Sequence, residues 1–121
     1  MPVTYIIDSN NNFIYITGKG ETSNNDWLNI KSELFDGPED HSKKNLLIDV
    51  INLETLPSSS FIESFIYSLE SIKESTIKWA IVVSKEVSFG LARVAAAFAE
   101  FKGYEVEIFQ NRDEAESWLE I

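Results

Sequence analysis

Two compact apolar runs constrain this chain more than any other feature: Asn45-Leu46-Leu47-Ile48-Asp49-Val50 and Lys78-Trp79-Ala80-Ile81-Val82-Val83. Each has the length of a strand rather than a helix. Neither alternates polar with apolar residues, as a strand with one wet face would. Strands of this kind need cover on both faces, which is the situation of a parallel sheet in an α/β protein. Each run is followed by a stretch with helical periodicity. Strand and helix therefore alternate, and right-handed crossovers between parallel strands are expected.

The rest of the chain fits around these runs. Tyr5-Ile6-Ile7 and Phe13-Ile14-Tyr15-Ile16-Thr17 are β-prone and flank Asn10-Asn11-Asn12, a turn-tolerant trio, so they predict an antiparallel hairpin. Gly18 and Gly20 are read as loosening its exit. A first helix is expected from Ser23, with Asp26 three residues on, carrying Trp27, Ile30, Lys31 and Leu34 on one side. Gly37-Pro38 ends it, and Glu39–Lys44 is a charged loop. Ser58-Ser59-Ser60 opens a second helix, with Ser60 and Glu63 as a capping box and Phe61, Phe65, Leu69 and Ile72 as its stripe. Ser88 is the expected cap of a third helix running to Lys102, closed by Gly103. Tyr104–Phe109 alternates as an edge strand does, and Asn111 with Glu114 starts a last helix holding Ala115, Trp118 and Leu119. The expectation is one α/β domain over residues 1–121, in the order β-β-α-β-α-β-α-β-α. Its five-stranded sheet is mainly parallel, with an antiparallel first strand and helices on both faces.

Charge narrows the function classes. Ten Lys+Arg stand against 20 Asp+Glu, a net charge of −10. The excess is spread along the chain rather than gathered in a tail. A field of that sign repels phosphate backbones and anionic membrane surfaces, so nucleic-acid binding is not expected. There is no cysteine and only one histidine, His41, which excludes thiolate zinc sites, cysteine nucleophiles and multi-histidine metal centres. No apolar stretch approaches the roughly 20 residues of a membrane span, and no targeting segment is visible. A cytoplasmic protein without a cofactor is the expectation. No Walker loop, G-x-G-x-x-G or G-x-S-x-G is present, which lowers the case for an enzyme.

Two segments resemble the STAS domain, the SpoIIAA-like fold. The first runs from Leu47-Ile48-Asp49-Val50 to Leu56-Pro57-Ser58-Ser59-Ser60. It is similar to the strand, short loop and D-S-S-G helix start of anti-sigma-factor antagonists, with Pro57 in place of the aspartate and Ser60 in place of the glycine. The second runs from Trp79–Val83 through Ser88-Phe89-Gly90-Leu91-Ala92-Arg93 to Gly103–Phe109 and Glu114-Ala115-Glu116-Ser117-Trp118-Leu119. It is similar to the C-terminal half of many bacterial STAS-like domains. The resemblance implies a protein partner, such as a kinase or regulator, and phosphorylation at Ser58, with Ser59 as the neighbouring candidate.

The residues themselves leave each candidate two readings. The Ser58–Ser60 cluster either caps a helix or accepts a phosphate, which would meet the positive end of the helix dipole and add roughly 1.5 to 2 negative charges. Asp49, read as lying at the carboxyl end of a central strand, either organises the serine loop or meets a ligand. Arg93 interrupts a helix of small residues. Either it lies at the edge of a tightly packed helix, or the helix is a pocket wall on which it offers a cation to an anionic head group, with Ser84, Ser88 and Gly90 as nearby donors. Two functions follow. The first is a non-enzymatic signalling or protein-interaction module. The alternative is a small carrier or sensor of an apolar or lipid-like ligand, since STAS domains resemble CRAL-TRIO lipid-binding domains in fold. An enzyme is a distant third. The glutamates Glu105 and Glu107 on the edge strand argue against simple edge pairing, so a monomer or a weak homodimer is expected.

Overall fold

The computed structural model describes residues 2–8, 10, 12–35, 44–69, 77–84 and 86–120, without the side chains of residues 86–88. The elements are β1 (Val3–Asp8), β2 (Phe13–Gly20), α1 (Asn24–Phe35), β3 (Asn45–Leu53), α2 (Ser59–Tyr67), β4 (Lys78–Val82), α3 (Glu86–Phe101), β5 (Glu105–Phe109) and α4 (Arg112–Leu119). The five strands lie side by side in chain order. β1 is antiparallel to β2, and the other three pairings are parallel. The sequence-predicted hairpin and α/β alternation are therefore present. Gly37-Pro38, His41 and Ile72 lie outside the described residues.

Sequential strand order decides where the helices go. Each right-handed crossover moves one strand along in the same direction, so the helices within the crossovers fall on one face. α1, α2 and α3 pack there against Ile14, Ile16, Leu46, Trp79, Ile81 and Val106. α4 follows the last strand and is free of that rule. It covers the other face, where Ala115 and Leu119 bury against Phe13, Leu47, Ala80 and Val82.

Local chemistry sets the helix ends. Ser23 and Asp26 cap α1 reciprocally: the Ser23 N–H donates to Asp26 Oδ2 at 2.8 Å, and the Asp26 N–H to Ser23 Oγ at 3.3 Å. Asn111 caps α4 by accepting from the Glu114 N–H at 2.8 Å. After α3, the Gly103 N–H bonds the Glu100 carbonyl and the Tyr104 N–H bonds the Ala99 carbonyl. That is a Schellman motif, and it requires the positive φ of 103° that Gly103 supplies. α3 begins at Glu86, so position 88 falls inside its first turn and is not the cap.

Gly18 corrects its expected role. It sits inside β2, and the ring of Trp27 lies over it; a Cβ there would come 2.9 Å from Trp27 Cη2. The glycine admits the indole of α1 onto the sheet instead of loosening a loop.

Candidate functional site

β3 is irregular at its centre. Thr17 pairs with Asp49 and Lys19 with Asn52, so three residues of β3 oppose two of β2. This bulge frees the backbone of Ile51 from the ladder. Two side chains satisfy it: the Ile51 N–H donates to Asp49 Oδ1 at 3.1 Å, and Ser84 Oγ donates to the Ile51 carbonyl at 3.1 Å. β3 also runs on to Leu53, so Asp49 lies mid-strand and not at its carboxyl end.

The second carboxylate oxygen of Asp49 faces the Arg112 guanidinium at 3.5 Å. Arg112 also reaches Glu116 at 3.3 Å and lies over the Tyr15 ring, 5.2 Å from its centroid. Burial is the main cause that pushes the Tyr15 phenol above its ordinary value, with Glu116 and Asp8 adding to it and Arg112 opposing them. This cluster ties α4 to β2 and β3. Sequence reasoning placed Asp49 beside the serine loop and missed Arg112, because the ion pair joins residues far apart in the chain.

The serine cluster is arranged differently from the expected capping box. Ser58, not Ser60, is the N-cap of α2, with extended backbone (φ −71°, ψ 156°), and its Oγ accepts the Phe61 N–H at 3.1 Å. Ser59 and Ser60 are the first two helical residues, and all three serines are exposed. At the far end, Lys102 Nζ donates to the carbonyls of Tyr67 and Leu69 at 3.0 Å each, which puts a cation on the negative end of α2.

Below the serine turn, α2 borders a cavity of about 150 Å³. Ile48 and Val50 of β3 with Ile81 of β4 and Val83 just beyond it form its floor. Phe61 and Phe65 of α2 stand on one side, Leu91, Ala92 and Ala95 of α3 on the other, and Trp27 of α1 at one end. Among the described residues no polar atom reaches its surface. Leu56 is the most exposed of the lining side chains, at 36%, and marks the mouth. The void has a clear origin: opposite the branched side chains of the sheet, α3 places alanines.

Arg93 is not at this cavity. Its guanidinium lies over the Phe89 ring at 4.9 Å, and it borders a separate groove with Ala96, Glu100 and Glu107, between α3 and β5. The structure thus separates residues that the sequence grouped. Asp49 and Ser84 serve the β3 bulge, Ser58–Ser60 stand exposed at the start of α2 between the lining residues Pro57 and Phe61, and Arg93 faces the far side of α3. The Ser88 side chain lies outside the described residues. The small-residue stretch of α3, which the sequence offers as a pocket wall, does supply Leu91, Ala92 and Ala95 to the cavity, but without Arg93.

Among the described residues no group of three or more His, Asp or Glu side chains is placed to hold a metal ion. No helix among them is long and apolar enough to cross a membrane. Comparison with protein-family models gives no match, and comparison with curated proteins gives none.

Proposed function

We propose that this protein is a non-enzymatic, STAS-like signalling or protein-interaction module whose working surface is the first turn of α2. The observation that carries this reading is the exposure of Ser58, Ser59 and Ser60 together at that helix start. A phosphate there would lie at the positive end of the helix and change the local charge by roughly −1.5 to −2. The order of elements and the mainly parallel sheet agree with such a module. Other polar candidates have structural tasks: Asp49 and Ser84 hold the β3 bulge.

A second reading, a carrier or sensor of an apolar ligand, is favoured by the wholly apolar cavity beside the same turn. Such a surface can bind but offers no group that transfers a proton or attacks a bond.

One measurement separates the two. The protein is purified from its native host, and its mass is taken under native and then denaturing conditions. A phosphate that survives denaturation and maps to Ser58 or Ser59 supports the switch. A mass lost on denaturation supports the carrier. Ser58→Asp keeps an N-cap while adding charge, and Ser59→Glu adds charge at the first helical position. Both variants are expected to change partner capture without lowering Tm. If neither changes it and no phosphate is found, the serine reading fails.

A further inference from the structure

We infer that the cavity between α2, α3 and the sheet is a binding site for a neutral, compact, apolar molecule, the size of one aromatic ring or a short branched hydrocarbon. It is not a site for a fatty acid or another lipid with a charged head group. This inference rests on the apolar-ligand reading above and specifies its ligand.

Three observations carry it. The first is size: a hollow of about 150 Å³ takes a single ring whole, whereas a long acyl chain would leave much of its length outside the mouth. The second is the surface, where no polar atom is presented to the cavity. A carboxylate or phosphate drawn inside would lose its water and gain no partner, a penalty larger than the gain from its apolar tail. A water held among these side chains would find no hydrogen-bond partner on the described lining, which favours an apolar guest there. The third is the placement of the polar groups nearest to it. The Trp27 indole N–H donates to Thr22 Oγ1 at 3.2 Å, and Ser58 Oγ accepts the Phe61 N–H. Arg93, the cation that the sequence offered to a head group, borders the other groove. The ligand's class is therefore set by volume and by the lack, among the described residues, of any donor or cation at the wall.

The test titrates the full chain, with methyl groups labelled for NMR, against toluene and separately against decanoate. Toluene is expected to shift the methyls of Val50, Ile62, Ile81 and Val83 saturably, while decanoate leaves them in place. Ala92→Leu should fill the void and weaken toluene binding about tenfold or more, tenfold being about 1.4 kcal/mol. Ala95→Leu is the second filling variant, should the first fail to fold. Arg93→Met should leave toluene binding unchanged. Decanoate saturating the same methyls overturns the ligand class while the apolar-ligand reading stands. If neither probe shifts them, both fall. If folded filling variants bind toluene as tightly as the parent, or Arg93→Met abolishes binding, the cavity is not the site.

Discussion

On one face of the sheet three helices, α1 to α3, are packed yet leave a hollow. On the other, α4 alone covers β3, β4 and β5 and leaves none of that kind among the described residues. The difference lies in what each helix turns toward the strands. α4 sets Ala115, with no exposed surface, in the same cluster as Ala80, also fully buried, and closes the flanks with Leu119 and Trp118. Small meets small, so the backbones approach closely. α3 sets Ala92 and Ala95 opposite Ile81 and Val83, but Phe61 and Phe65 of α2 hold the mouth open on the other side. The same residue type thus produces contact on one face and a cavity on the other. Alanine in a buried helix is informative only together with what its neighbours allow.

One substitution made on both faces puts this to the test. Ala115→Leu has nowhere to go and should destabilise by about 1–3 kcal/mol. Ala92→Leu enters existing space and should be neutral or stabilising by up to about 1 kcal/mol from the added burial. Denaturant midpoints for the two variants give the comparison directly. Equal losses would mean that the hollow over the three-helix face closes up in solution.

The faces also differ in their polar content. Among the described residues the cavity's lining presents no polar atom, whereas the α4 face carries Asp49, Arg112, Glu116 and Tyr15 in one cluster. Asp49→Ala should cost about 1–2 kcal/mol, chiefly because the Ile51 N–H at the bulge is left without its acceptor. Asp49→Asn keeps an acceptor and should cost less, since the Arg112 pair is partly exposed and weak. Urea unfolding distinguishes these cases. Equal costs for Ala and Asn would assign the whole effect to the ion pair and remove the bulge from the account.

Features decided within a few residues were legible in the chain. The Ser23–Asp26 and Asn111–Glu114 caps, the Gly103 stop and the hairpin are of this kind, because each partner lies within one turn of the other. Among three consecutive serines, however, local rules favoured Ser60 with Glu63, and the structure uses Ser58 with Phe61. Leu56 and Pro57, which line the cavity, lie immediately before the serine that caps. Asp49 lies mid-strand because β3 continues through a bulge to Leu53, and no propensity announces a bulge there. Arg93 and the small residues beside it read as one wall because they are adjacent in sequence. On a helix, adjacent residues point about 100° apart, and that angle sends Arg93 to a different groove from Ala92. The cavity itself is a shortfall of volume between elements, and no single position encodes it.

The smallest expected effect probes the α4 face through pH. Burial first, then Glu116 and Asp8, raise the Tyr15 phenol above the ordinary tyrosine value of 10.0, and Arg112 over its ring works the other way. A raised value means that the folded state holds the proton more tightly than the unfolded chain does. In the window between the two values the unfolded state binds fewer protons, so stability falls as pH rises. The contribution is fully present below pH 10.0 and is lost as pH climbs through the folded value. Tyr15→Phe has no proton to lose, so its Tm should decline less steeply above pH 10.0 than that of the parent. If the two curves run parallel, Tyr15 titrates as it would in the unfolded chain, and the polar cluster of the α4 face is wetter than its geometry implies.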